Sequence, residues 1–327
     1  MTTTTRAPRT DVAPPGGNDP APAPPRRRLA PRRNSRRPVW DEEPGLAASA
    51  AKALALLVIC FLAIYPMFSV LATSLSSQEE IVAKDGLVLW PDRPTLAAYQ
   101  QILSGGVVTD ALVRSIGITV VGTLCSVFFT VLMAYGLSRP RVVGGRFWLL
   151  SVLFTMFFSA GIIPNFLVVS ELGLLGSYAA VVLPVLISAF NLVVVRSFFM
   201  GLPAELFEAA RIDGAGDLRI LATMVLPLSK GVIAVVSLFY GVAYWNAFFN
   251  AMLYLDMEQW PLSMILRQYV LLGQPVAENA AMASEMSAPT QAIQMAVVIV
   301  SLVPIVVAYP FLQRYFTKGV ITGAVKG

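Results

Sequence analysis

Uncharged, largely apolar runs recur at residues 53–74, 115–137, 147–169, 178–195, 232–253 and 292–313. A helix of about 20 residues crosses the ~30 Å hydrocarbon core of a bilayer, so each run is long enough, or nearly so, to span it. Lipid offers no partners to backbone N–H and C=O groups, and a single spanning segment must therefore satisfy them internally as helix. This pattern predicts an all-α integral membrane protein with six transmembrane helices. A 56% hydrophobic, 13% charged composition agrees, because soluble proteins carry charge on roughly a quarter of their residues.

Residues 1–45 differ from the rest: they are rich in Pro, Ala, Thr and Arg and poor in large apolar side chains. Such a segment buries too little surface to offset its chain entropy, and a disordered tail is expected there, ahead of a membrane domain over 46–327. The arginines of its basic half, Arg26, Arg27, Arg28, Arg32, Arg33, Arg36 and Arg37, precede the first span. They suit a cytoplasmic topology anchor on an anionic lipid surface; a regulatory or nucleic-acid-binding arm is the alternative. An export signal fits less well, because the small residues at 47–51 precede the apolar core. With the tail inside, Arg139, Arg141 and Arg146 after the second span and Arg314, Lys318 and Lys326 after the sixth are cytoplasmic. The opposite loops are acidic, with Glu79, Glu80, Asp85 and Asp92, then Glu171, then Asp256, Glu258, Glu278 and Glu285. Both termini are thus expected in the cytoplasm.

Several chemistries are disfavoured by what the sequence lacks. It has no His, the usual proton carrier near neutral pH and a common zinc ligand. Cys60 and Cys125 lie within apolar runs and read as small buried hydrophobes. No charged residue falls near the centre of a run, which argues against a proton- or sodium-coupled carrier. No Gly-x4-Gly-Lys-Ser/Thr phosphate loop occurs either, so ATP hydrolysis by this chain alone is not expected.

The charged interior stretch at 203–227 stands out between two apolar runs. Pro203 suits a helix start, and Glu205 and Glu208 fall near the positive end of the helix dipole. Leu206, Phe207, Ala209, Ala210 and Ile212 alternate with Glu205, Glu208, Arg211 and Asp213, which predicts a short amphipathic helix stopped by Gly214 and Gly216. Asp217 is expected to cap a second helix running to Pro227. A helix held rigidly between two spans can dock its apolar face on a partner and transmit displacement to the membrane.

The segment Glu208-Ala-Ala-Arg-Ile-Asp-Gly-Ala-Gly, followed by Leu226-Pro227, resembles the Glu-Ala-Ala loop of binding-protein-dependent ABC importer permeases. Trp245-Asn246 and the ending Tyr315-Phe-Thr-Lys-Gly-Val-Ile-Thr-Gly-Ala-Val-Lys-Gly327 are similar to the maltose-type carbohydrate branch. Phe158-Ser-Ala-Gly-Ile-Ile-Pro164 and Ser188-Ala-Phe-Asn191 resemble its oligosaccharide and polysaccharide subgroup. Two positions depart from that pattern: Ala160-Gly161 stands where two glycines are usual, and Gly231 where a Pro is common.

The resemblance implies a multi-pass permease subunit of type I importer fold in a bacterial plasma membrane. It also implies a second homologous permease, two ATP-binding subunits that hold ATP and Mg, and an extracytoplasmic sugar-binding protein. This chain itself would hold no cofactor or metal and catalyse no reaction. By the same resemblance Glu205, Glu208, Ala209, Ala210, Arg211, Asp213 and Gly214 form the helix that contacts the ATPase, and Lys318 and Gly319 belong to a C-terminal ATPase contact. Sugars are bound through hydroxyl hydrogen bonds and stacking on aromatic faces, so Asn165, Asn191, Tyr244, Trp245 and Asn246 are the candidates for the substrate path. Helix packing is the competing role for each. Pro164 and Pro184 are expected to kink their helices. The alternatives are the same machine carrying peptides or amino acids, and a channel or scaffold independent of any ATPase.

Overall fold

A computed structural model describes residues 46–104, 106–140, 142–271 and 291–324 and, for Leu46 and residues 311–324, the backbone alone. The expected tail at 1–45, together with Arg141, Glu278, Glu285 and Lys326, lies outside the described residues. The chain divides into two compact units within helix α1 (Leu46–Ser74), after Leu57. Of the first unit only residues 46–57 are described; they are helical and carry exposed Leu54, Leu56 and Leu57.

All described elements of the second unit are helical. After the rest of α1 come α2 (Gln78–Ala83), α3 (Ala97–Leu103), α4 (Val107–Ser138), α5 (Gly145–Phe157), α6 (Ile162–Glu171) and α7 (Tyr178–Val182). A 3-10 turn, Leu183–Val185, leads to α8 (Ala189–Met200) and α9 (Ala204–Ile212). Helix α10 (Asp217–Ile220) runs through a π turn, Leu221–Val225, into α11 (Leu226–Leu228). Helices α12 (Lys230–Trp245), α13 (Phe248–Tyr254), α14 (Leu262–Leu266) and α15 (Gln291–Ala324) complete the fold.

Three single helices are long and apolar enough to cross a membrane: Ala47–Ser74, Val107–Ser138 and Gln291–Pro310. Three further apolar segments are bent pairs, and counting each as one span brings the described total to six. Interruptions were expected at Pro164 and Pro184, and the bent pairs place the first of them differently. The run at 147–169 is broken, with α5 and α6 meeting at 119°. Gly161, at φ 87°, turns the chain there, in a left-handed region that residues with a Cβ avoid. Pro164 does not kink a helix: it is the third residue of α6, where no intrahelical N–H bond is lost. At Pro184, by contrast, the 3-10 turn interrupts the segment, and the pair ending in α8 bends by 52°. The fifth apolar segment is also displaced from 232–253: it comprises Asp217–Leu228 and Lys230–Trp245, joined by an 84° elbow at buried Ser229, two residues before Gly231.

Among the described residues two larger apolar cores and a small cluster of Val169, Ala180 and Tyr254 hold the second unit together. One joins α4, α8, α12 and the α10–α11 segment through Ile118, Leu192, Val195, Ile220, Val225 and Val236. The other gathers α2, α3, the start of α4, α14 and α15 through Ile81, Ile102, Ala111, Leu262, Ile265 and Val297. Burial stabilises little where lipid is the alternative environment, so close packing and interhelical hydrogen bonds specify the pairing. On the α4–α12 seam Ser126 Oγ lies 2.7 Å from Tyr244 Oη, and one turn away Thr130 Oγ1 lies 2.7 Å from Tyr240 Oη. Gly122 faces the Tyr244 ring so closely that an added Cβ would fall 2.9 Å from it. The ring is held by its hydroxyl, so nothing larger than hydrogen fits without separating the helices.

Candidate functional site

Two places bring together the residues singled out from the sequence. The first is α9. Pro203 occupies its N-cap, one position earlier than a first-turn Pro, and Glu205 lies in the first turn near the positive helix end. At the other end Gly214 adopts φ 74°. Its N–H donates to the Arg211 carbonyl at 3.0 Å, and the Ala215 N–H donates to the Ala210 carbonyl at 2.9 Å. This pair of bonds is the Schellman closure, and it explains chemically why a Gly stands four residues after Glu-Ala-Ala.

The amphipathy of α9 divides differently from the sequence reading. Phe207 and Ala210, three residues apart, pack on the chain's own core along with Ala215. Glu205, Leu206, Glu208, Ala209, Arg211, Ile212, Asp213 and Gly214 are exposed, Ile212 at 86%. One apolar strip thus anchors the helix while another, Leu206, Ala209 and Ile212, is left outward among charges.

Arg139 supplies the anchor's polar part. Its guanidinium carbon lies 4.2 Å from the Tyr135 ring centroid and 4.4 Å from that of Phe207, bridging α4 and α9. It also donates to the Tyr135 hydroxyl and lies 3.5 Å from an Asp217 carboxylate oxygen. The Tyr135 hydroxyl in turn donates to the Asp217 carbonyl at 3.0 Å. Burial lowers the proton affinity of Arg139, Asp217 opposes this, and the nearby Arg211 charge adds to the lowering; a guanidinium nonetheless stays charged at neutral pH. Asp217 is not the cap of the second helix: Gly216 holds that place, and the Asp217 side chain pairs with Arg139 and, at 3.7 Å, with Arg211. The sequence reading used Arg139 only as a marker of sidedness and missed this link. Its two opposite charges in neighbouring loops were visible, but the stacking was not.

The second place is a cavity of about 590 Å³ beside the break between α7 and α8. Asn191, Tyr244 and Asn246 line it together, with Ser188, Tyr240 and Asn250 adding polar groups and Phe190, Phe239 and Phe249 adding aromatic faces. The break is stabilised locally, because Ser188 Oγ accepts from the Asn191 N–H at 3.4 Å and the Ser188 N–H donates to Tyr240 Oη at 2.8 Å. Ser188, Phe190 and Asn191 belong to the N-terminal turn of α8, so the positive end of that helix faces the cavity. The lining carries no charged side chain. Amides, hydroxyls and rings without charge are the chemistry suited to a polyhydroxylated ligand.

Trp245 and Asn165 are not part of this lining. Trp245 is buried on the opposite side of α12 and donates from Nε1 to the Ser301 carbonyl of α15 at 3.2 Å, a helix-packing contact. Asn165 is exposed on α6. Lys318 and Gly319 fall within α15, where the backbone alone is described. Tyr240 escaped the sequence reading although it sits four residues before Tyr244, the spacing that puts residues on one helical face, and Asn250 escaped on α13, beyond the end of α12 at Asn246.

Comparison with known proteins adds four observations. A family profile described as "Binding-protein-dependent transport system inner membrane component" matches residues 126–322. The chain is 44% identical over 274 residues to the polygalacturonan/rhamnogalacturonan transport system permease protein YtcP of Bacillus subtilis (strain 168), covering 83% of this chain and 96% of that protein. It is 43% identical over 265 residues to protein LplC of the same organism, covering 81% and 90%. Its fold matches a chain in the crystal structure of a bacterial ABC transporter involved in the import of the acidic polysaccharide alginate, with TM-score 0.74 and 32% identity over 82% of this chain and 96% of that one.

Proposed function

The chain belongs to the family of binding-protein-dependent transport system inner membrane components, and from that premise we propose that it is the permease subunit of an ATP-driven oligosaccharide importer. Both termini lie in the cytoplasm, and six spans cross the membrane, three of them as the bent pairs. A second homologous permease completes the pathway, an extracytoplasmic binding protein delivers sugar, and two partner subunits hydrolyse ATP.

The observation that carries this reading is the mounting of α9. It is closed by Gly214, clamped to α4 through Arg139 and Phe207, and leaves Leu206, Ala209 and Ile212 outward. A helix fixed in this way receives a push from a bound ATPase and passes it to α4 and to the α10–α12 elbow. Alternating access follows when those helices move relative to the partner permease. The cavity at the α7–α8 break supplies the sugar contacts: Asn191, Asn246 and Ser188 meet hydroxyls, and Phe190, Phe239 and Phe249 meet C–H faces. Uronic-acid oligosaccharides are the preferred cargo. The B. subtilis relative is named for polygalacturonan and rhamnogalacturonan, the matched crystal structure for alginate, and the α8 N-terminus favours a carboxylate.

Uptake of radiolabelled galacturonate oligosaccharides, neutral oligosaccharides and peptides by cells carrying or lacking this chain tests the cargo. Uronate oligosaccharide uptake that disappears with the chain is expected. Peptide uptake without sugar uptake would overturn the reading.

A further inference from the structure

A second cavity, of about 600 Å³, opens beside α9 where α4 and α8 end and α5 begins. Four guanidinium groups line it, those of Arg139, Arg146, Arg196 and Arg211, against the single carboxylate of Glu208. Arg139 and Arg211 share Asp217, at 3.5 and 3.7 Å. Arg196 donates from Nε to the Leu137 carbonyl at 2.9 Å, and among the described residues neither it nor exposed Arg146 has a carboxylate within 4 Å. With Glu208 and Asp217 counted against the four arginines, the cavity retains two positive charges in excess. The transport reading uses the other, uncharged cavity and leaves this one without a role.

We infer that this cavity binds the phosphate headgroup of an anionic phospholipid from the leaflet on the α9 side of the membrane. The inference rests on the chain's membrane location and not on its cargo. Three observations favour a lipid over a soluble anion. The cavity lies at the ends of apolar segments, the depth at which headgroups sit. Leu149 and half-exposed Met200 form part of its wall, so an acyl-glycerol stem meets apolar surface while the phosphate meets arginine. Exposed Phe147 and Trp148 flank Arg146, as aromatic residues do at a membrane interface. Guanidinium groups bind phosphate oxygens bidentately, and a cavity of this size lies within the range that encloses small ligands. Because Phe207 and Arg211 of α9 also line the cavity, a bound headgroup touches the helix proposed above as the ATPase contact.

The test uses the full-length chain, purified with whatever subunits accompany it and titrated with phosphatidylglycerol or phosphatidylcholine while bound lipid is counted by native mass spectrometry. Phosphatidylglycerol is expected to bind in preference to phosphatidylcholine, and Arg146→Gln and Arg196→Gln each to weaken it about fivefold, the effect of one basic residue at a charged membrane surface. Arg146→Gln keeps the test decisive if loss of the Arg196 contact to Leu137 disturbs folding. Equal binding of both lipids, or unchanged phosphatidylglycerol affinity in Arg146→Gln, would overturn the inference. So would full competition by millimolar inorganic phosphate, which would mark a soluble-anion site. Weaker association of an ATP-binding subunit with unchanged lipid affinity would mark a protein contact and overturn it as well.

Discussion

Replacing Gly214 with Val is expected to reduce substrate-stimulated ATP hydrolysis and uptake by about tenfold while leaving the chain in the membrane. Gly214 closes α9 at φ 74°, and no other atom would crowd an added Cβ, so the penalty arises in the backbone alone. An L-residue in the left-handed region costs about 1–2 kcal/mol, with Val at the upper end because its branched Cβ is the most restricted. At 1.4 kcal/mol per factor of ten, the equilibrium constant for the correctly closed turn falls by about tenfold. The turn directs the chain from α9 into α10, so under the proposed coupling its loss separates α9 from the helices that carry the motion. Gly214→Asn provides the internal check, since Asn tolerates this conformation, and most activity should remain. Equal loss in both variants, or none in Gly214→Val, would contradict the coupling role. Reconstituted complexes assayed for ATP hydrolysis with and without loaded binding protein separate these outcomes.

The second large effect is expected at the uncharged cavity. Asn191→Leu preserves side-chain size but removes the amide that the proposed sugar path assigns to a substrate hydroxyl. An unpaired buried polar group costs about 1–3 kcal/mol, which corresponds to roughly a fivefold to 150-fold fall in kcat/KM for uptake. Asn191 is only 4% exposed, so the substitution also tests the fold. Asn246→Leu distinguishes the two effects, because Asn246 is exposed at the end of α12 and its one side-chain bond is to the local Val242 carbonyl at 2.8 Å. Reduced uptake with normal basal ATP hydrolysis and normal membrane levels in Asn246→Leu supports sugar contact. Unchanged uptake in both variants would remove the cavity from the transport path.

Much of this architecture was legible because charge and apolarity are strongly segregated along the chain. The runs around α4 and α15 are long and unbroken, and each appears as one helix. The place of the break between α5 and α6 was not legible: the kink expected at Pro164 falls inside α6, and Ser159, Ala160 and Gly161 interrupt apolarity too little to stop a hydropathy pattern. What decides there is the positive φ of Gly161, set by tertiary context. The elbow at Ser229 escaped for the opposite reason. The polar surface of α10 made it resemble a cytoplasmic helix, although Ile220, Leu221 and Val225 are buried in the core with α4, α8 and α12.

The candidate sites divide in the same way. Asn191, Tyr244 and Asn246 were visible as polar groups in apolar surroundings. Adjacent Trp245 could not share the cavity face with Tyr244, because successive residues on a helix point about 100° apart. Composition marks both as candidates, and only their direction separates them. On α9, apolar spacing located a hydrophobic strip but not the division of labour between Phe207, which packs inward on Arg139, and Ile212, which does not.

That division supplies the most direct test of whether α9 receives the ATPase. A photo-crosslinking amino acid placed at Leu206, Phe207 or Ile212 in turn can be activated in native membranes and the adducts identified. An adduct with an ATP-binding subunit is expected from Leu206 and Ile212, and little or none from Phe207. No such adduct from either outward position, or equal capture from all three, would contradict that contact.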